Sequence, residues 1–384
     1  MYAKSTSLTT RGLRLFSSTN VIRNYDLQLA NAAENVNVLL EKSDRSSYIL
    51  AQYIPEPARN GFLAIKAFGL EANKITDGGA ATGSRASRAS SQLSSSMGLS
   101  TADMKFKFWS DMLSKAFTDQ GEIHEPTIFL LRDALRQGLN SDISYFHQYL
   151  QTRRLFLQTK QFKTVDDICS YGEGTSSQLN YATQALLLSP SISPSVIHLL
   201  ELSPQLQSKV SDIAAHIGQA TAVGSMILGF DYYASTRNIV TMPVDLMTKF
   251  DLSQELALRL SQGHIKDEKE KAEAQEKLQN VVFETAVTAN DHLLSARSKL
   301  KQVREDIQKL VQSKPHDNLL QRSQKKWRKG IPDVIFIPFM NAIPTSLYLE
   351  KLEKNDFNIY SPKLKQKEWR LGWRSFRNYY KRAI

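Results

Sequence analysis

Two stretches of this chain hold the residues whose types and spacing come nearest to doing chemistry. The first runs from Ala64 to Asp77 and carries Glu71, Asn73, Lys74 and Asp77. The second runs from His216 to Tyr233 and carries Ser225, Gly229, Asp231 and Tyr233, with Asp245 a little further on. Carboxylates about four residues apart lie one turn apart on a helix, so a pair of them can face a cavity and hold Mg²⁺ against a diphosphate. Neither stretch supplies such pairs, and a lysine inside a magnesium cage would compete with the metal. Without two carboxylate pairs, ionising a diphosphate loses the electrostatic stabilisation that carries the reaction.

Other reactive residues offer less. His124, His147, His216, His264 and His292 are scattered without the close spacing of a zinc site, and no Ser/His/Asp order can be argued from them. His216 reads either as a cavity residue or as a hydrogen-bonded core histidine. The glycines at Gly78, Gly79 and Gly83 follow no strand, so they make neither a phosphate loop nor a dinucleotide fingerprint. The single cysteine, Cys169, excludes an internal disulfide and fits a reducing compartment or an ordinary core position.

The elements that must position these residues read as almost wholly helical. Apolar residues recur at three- and four-residue intervals in Ala58 to Thr76, Met104 to Phe117, Thr127 to Gly138, Gln205 to Leu228, Ser253 to Gly263 and Val281 to Gln312. Prolines at 55, 57, 190, 194, 204, 243 and 315 punctuate them. The 384 residues, 41% of them hydrophobic, suffice for a sizeable core. The pattern predicts an all-α bundle forming one domain over residues 26–384. Gly78 to Thr101, rich in Gly, Ala and Ser, is expected as a loop inside a helical hairpin. His264 to Lys277 is expected to be a solvated helix face. The apolar runs are short or interrupted by polar groups, so no bilayer-spanning helix is expected.

The two ends carry the charge. Residues 1–25 contain Lys4, Arg11, Arg14 and Arg23, many Ser and Thr, and no acid, which predicts a mitochondrial targeting presequence cleaved near Ser17. Losing Lys4, Arg11 and Arg14 lowers the formal net charge from +11 to +8. Residues 362–384 hold eight basic side chains against Glu368, a net +7, so most of that excess sits in one tail. There Trp369, Trp373, Phe376 and Tyr380 recur at helical spacing, flanked by Arg370, Arg374, Arg377 and Lys381. Such a helix suits an anionic membrane surface or an acidic partner, or packs its rings on the core. No zinc-ligand pattern, RNA-recognition signature or basic-zipper register accompanies the patch, which argues against nucleic acid.

From about Tyr25 to Tyr380 the chain resembles the squalene/phytoene synthase family. The resemblance rests on Ala67-Phe68 with the preceding Pro55 and Arg59, on Phe108-Trp109, and on Tyr171 to Leu179. It continues through Gly218-Gln219-Ala220, Met242-Pro243-Val244-Asp245, Ala342 to Glu350 and Asp356 to Tyr360. Trp109, Tyr171 and Tyr348 read in their own right as core packing. Where the synthases carry their first acids this chain has Asn73 and Lys74, keeping Asp77. Glu71 is out of the synthase register and matches a mitochondrial branch of the family. Where the synthases place Asn-x-x-Arg-Asp and a following acid, the chain has Ser225, Leu228, Gly229 and Tyr233, with Asp231 in another register.

The resemblance therefore implies an isoprenoid-synthase type bundle from which the metal chemistry has been erased, with no cofactor, no metal and no catalytic residue. The branch it resembles is of the complex I assembly factor type. That implies a non-catalytic protein, peripheral on the matrix side of the mitochondrial inner membrane, whose partners are complex I subunits or assembly intermediates and anionic lipid. The alternative is a prenyl diphosphate or lipid-binding protein or transferase, with Glu71, Asp77 and Asp231 supplying residual polarity in the cavity.

Overall fold

In a computed structural model of the chain, residues 10–76 and 100–384 are described, with side chains from residue 24 onward. The first half comprises α1 (Thr10–Ser43), α2 (Arg45–Leu50), α3 (Glu56–Asn73), α4 (Thr101–Phe117), α5 (Pro126–Arg136), α6 (Ile143–Thr159), α7 (Val165–Gly174), α8 (Ser176–Leu187) and α9 (Pro194–Glu201). The second comprises α10 (Pro204–Arg237), α11 (Val244–Lys249), α12 (Gln254–Ser261), α13 (Glu268–Ser313), α14 (Asn318–Gln324), α15 (Asp333–Phe336), α16 (Ala342–Glu353) and α17 (Arg370–Lys381). No strand occurs among the described residues, only an isolated bridge between Arg328 and Ile331. The fold is all-α, of the isoprenoid-synthase type.

The helix boundaries follow local chemistry. α3 begins after Pro55, with Glu56 and Pro57 in its first turn, and α10 begins where the Ser203 side chain accepts from the Leu206 amide ahead of Pro204. α7 opens on a capping box between Thr164 and Asp167. α10 stops at Asn238, which adopts the left-handed conformation that ends helices.

α10 is the axis of the molecule. It packs along the 46-residue α13 and against α7 and α8. An 18-residue window of α10 reaches a mean hydropathy of 1.3, long and apolar enough to cross a membrane by composition, yet 61% of that window is buried in the bundle. The Gly218-Gln219-Ala220 signature has a packing reason: a Cβ on Gly218 would stand 2.2 Å from the Ser177 hydroxyl, so only glycine lets α8 approach this closely. Phe68 anchors α3 from the other side, edge-on to Trp109, Phe146 and Tyr149 at ring separations of 5.5, 5.1 and 5.6 Å.

The ends differ in detail from the sequence expectation. The boundary drawn at Tyr25 falls inside α1, and Tyr25 is tied to the body by its hydroxyl, which donates to Asp133 at 2.7 Å, and by its ring against Phe129. Residues 1–9 and 77–99, and with them Asp77 and most of the expected loop, lie outside the described residues. The last positions of that loop are already structured, since the Ser100 side chain caps α4 by accepting from the Asp103 amide at 3.0 Å. The tail is helical only over Arg370–Lys381, because residues 362–369 form a run of turns that Lys351 holds through the Gln366 carbonyl.

Candidate functional site

α3 and α10 both line a cavity of about 430 Å³. The lining positions on α3 are Lys66, Gly69, Leu70 and Asn73, and on α10 they are Thr221, Gly224, Ser225 and Leu228. Each set is spaced i, i+3, i+4, i+7, the signature of one helical face. Asp44 at the α2 cap, Tyr149 of α6, and Thr345 and Tyr348 of α16 complete the walls.

Of the motif positions singled out in the sequence, Asn73, Ser225 and Leu228 line this cavity, whereas Glu71, Lys74, Gly229, Asp231 and Tyr233 do not. Glu71 pairs with Lys74 at 2.7 Å, one turn apart on an outer face of α3. Gly229 lies beneath the Tyr233 ring, whose carbons a Cβ there would approach to 3.1 Å. Asp231 faces Lys365 at 3.6 Å and ties α10 to the turns before α17. The acids therefore do not gather in the cavity, and among the described residues no group of three or more His, Cys, Asp or Glu could hold a metal. The lysine that does enter is Lys66, not Lys74.

Most polar groups around the cavity are turned back to the protein. Tyr149 donates to the Gly69 carbonyl at 3.0 Å, Ser225 to the Thr221 carbonyl at 2.7 Å, and Thr221 to the Ile217 carbonyl at 2.7 Å. Asp44 caps α2, accepting from the Ser47 amide at 3.1 Å and the Ser47 hydroxyl at 2.5 Å. Lys66 is the charged exception. Its ammonium lies 5.5 Å from the Phe62 ring and has no hydrogen bond or ion pair among the described residues. Burial lowers its pKa from 10.5 to about 8, with the nearby charge of Asp44 pulling the other way.

A second cation stands behind the cavity wall. Arg153, 1% exposed, donates to the Asn73 carbonyl at 2.9 Å and to the Tyr171 hydroxyl at 3.1 Å, while its Nε has no partner. It thus caps the C-terminal end of α3, where orphan carbonyls and the helix dipole favour a positive charge. Tyr233 lies within electrostatic reach of this arginine and of Tyr171. Tyr348, which by sequence reads as core, instead borders the cavity, and burial holds its phenol well above the usual range. His216 is a bonded histidine away from the cavity: its Nδ1 stands 2.9 Å from Nδ1 of His292, whose Nε2 is 3.4 Å from the Cys169 sulfur. Burial lowers both imidazoles and pushes the Cys169 thiol up to about 11, so this trio rests neutral.

The C-terminal helix is the other candidate surface. Trp369, Trp373, Phe376 and Tyr380 are 79%, 64%, 48% and 48% exposed, so the rings do not pack on the core as one expectation held. What docks α17 is Leu371, Ser375 and the 1%-exposed Arg382, which pairs with Asp333 and stacks over Phe336 and Tyr379. Arg370 and Arg374 are drawn to Glu350, and Arg370 also to Glu368 at 2.8 Å. Arg377 and Lys381 stay exposed beside the rings, with no ion pair among the described residues. Along the stripe Trp373 stacks on Phe376 and Phe376 meets Tyr380, with centroids 6.0 and 4.6 Å apart.

A bundle with a cavity between these two helical faces defines a class, and the sequence comparison agrees: a family model described as squalene/phytoene synthase matches residues 40–377, and the chain belongs to that family. The curated relatives it resembles carry a different kind of name. A Bos taurus protein named "NADH dehydrogenase (ubiquinone) complex I, assembly factor 6" is 23% identical over 329 residues, covering 86% of this chain and 76% of its own. The Homo sapiens protein of that name is 22% identical over the same shares. A Dictyostelium discoideum homologue is 23% identical, covering 84% of this chain and 70% of its own. Among solved structures, a dehydrosqualene synthase in complex with ligand matches with a TM-score of 0.54 at 13% identity, covering 94% of this chain and 98% of that one. YisP from Bacillus subtilis matches at 0.51 and 10% identity, covering 92% and 98%. At these identities the solved structures speak for the fold alone.

Proposed function

We propose that this chain is a non-catalytic assembly factor for respiratory complex I, NADH:ubiquinone oxidoreductase, built on a synthase scaffold. The observation that carries the reading is the cavity face of α3 and α10. At the lining positions, where metal-dependent diphosphate chemistry needs carboxylates, it presents Asn73, Ser225 and a lysine. A cavity so lined offers no carboxylate pair to the divalent cations that ionise a prenyl diphosphate, while relatives named as complex I assembly factors align with 86% of the chain. The runner-up, a prenyl transferase with residual activity, loses support because Glu71 and Asp231 are spent on Lys74 and Lys365 outside the cavity.

The place of action we propose is the mitochondrial matrix face of the inner membrane. The basic, acid-free residues 1–25 support import, with cleavage near Ser17 keeping Tyr25 on the working body, which carries a low-complexity connector at 78–101. The exposed rings of Trp369, Trp373, Phe376 and Tyr380, with free Arg377 and Lys381, support peripheral attachment to anionic lipid. Complex I subunits or assembly intermediates would be the protein partners. The test is complex I abundance and NADH dehydrogenase activity on native gels of mitochondria from cells lacking the gene. Selective loss of complex I, restored by the unaltered gene, is expected, and normal complex I in the deletion would overturn the reading.

A further inference from the structure

We infer that the cavity between α3, α10 and α16 is a binding site for a singly charged amphiphile, a carboxylate on an apolar chain, with Lys66 as its counter-ion and no bridging metal. This goes beyond the assembly role and does not rest on it.

Three observations carry the inference. The first is charge. Of the described residues lining the cavity, Lys66 is the one cation and Asp44 the one anion, and Asp44 is engaged by the amide and hydroxyl of Ser47. That leaves one ammonium without a partner in a part-buried site, an arrangement that costs free energy until a negative charge arrives. A single ammonium balances a carboxylate, whereas a diphosphate would leave most of its charge uncompensated there.

The second is hydrogen bonding. Thr221, Ser225 and Tyr149 donate to backbone carbonyls, so they hold no free proton for a larger polar headgroup. Among the described residues the Tyr348 hydroxyl has no protein partner and borders the same space, a neutral donor that can share a headgroup with the ammonium. The third is shape. The cavity of about 430 Å³ is also lined by Leu50, Leu70, Leu179 and Leu228, an apolar surface for a chain. Its volume lies within the range of roughly 300–1,000 Å³ common for small-ligand pockets.

Protonation gives the inference a signature. Lys66 titrates near 8 when the site is empty, and an anion beside it favours the charged form. Binding must therefore be strongest below that pH and weaken as the pH rises through it. An arginine at position 66 would keep its charge and lose the dependence.

The test uses the purified full chain and laurate, with dodecanol, dodecyl phosphate and farnesyl diphosphate as comparators, read by calorimetry and thermal shift. Laurate should bind at least about tenfold more tightly than dodecanol, a margin that one charge contact supplies. Chelation of divalent cations should leave this unchanged. Lys66→Met should erase the preference for laurate, Lys66→Arg should keep it at pH about 9.5 where the wild type loses it, and neither should lower Tm. Equal binding of laurate and dodecanol would overturn the proposal. So would full laurate affinity in Lys66→Met, or farnesyl diphosphate binding more tightly than laurate and only with Mg²⁺.

Discussion

The cavity and the C-terminal helix handle polarity in opposite ways. In the cavity, the Thr221 and Ser225 hydroxyls are folded back onto backbone carbonyls and one ammonium is left facing open space. Around α17, Arg370, Arg374 and Arg382 are drawn inward to Glu350, Glu368 and Asp333, and the aromatic rings are left in water beside Arg377 and Lys381. The first arrangement has discarded what a metal-dependent synthase needs. The second is the kind of contiguous exposed apolar stripe that marks interaction surfaces, which is the basis of the proposed membrane contact. The contrast separates the cavity from the exposed helix, and each can be attacked alone.

The largest expected effect falls on the interior. Arg153→Met removes the cap of α3 and leaves the Asn73 carbonyl and the Tyr171 hydroxyl without their charged partner. Losing a buried charged donor of this kind should cost about 3 kcal/mol in urea unfolding, near the upper end for bonds to charged groups. A change below about 0.5 kcal/mol, the range of surface substitutions, would mean that the cavity wall does not depend on it.

Next comes the exterior. Replacing Trp373 and Phe376 together by alanine should weaken binding to vesicles containing anionic lipid by about tenfold or more. The same variant should keep its stability within about 0.5 kcal/mol, because both rings are exposed. Unchanged vesicle binding would move the membrane contact elsewhere, and a large loss of stability would show the rings to be core after all.

The smallest effect is a pH dependence inside the bundle. Burial lowers the imidazoles of His216 and His292 below 6.5, so below that pH the unfolded chain binds more protons than the folded one. Stability should therefore be complete above pH 6.5 and decline as the pH falls below it, and His292→Gln should flatten that decline. An unaltered pH profile in the variant would place the titrating groups elsewhere.

Much of this was legible in the sequence, and the limits have physical reasons. The period of apolar residues located α3, α5, α10 and α13 to within a few residues at most of their ends, because long amphipathic stretches leave no other fold open. The loss of paired acids was equally readable, since it depends on residue type alone. Which residues took their place was not. Lys66 shares a helical face with Gly69, Leu70 and Asn73, and that spacing could have been followed outward from Asn73. Lys74 drew attention instead, although its partner Glu71, one turn away, holds it on another face. Arg153 gave no local signal, because its partners Asn73 and Ile75 lie about eighty residues away in the chain. The outward turn of the α17 rings was open for a related reason. An amphipathic pattern does not say which face meets the core, and here Leu371, Ser375 and Arg382 decided it.

The account rests on an inherited cavity that no longer ionises diphosphates, and the direct measurement is pyrophosphate release from farnesyl and geranylgeranyl diphosphate by the purified full chain with Mg²⁺. Release no faster than in buffer is the predicted result. Release that requires Mg²⁺ and turns over repeatedly would contradict the account and return the protein to the enzymes of its family.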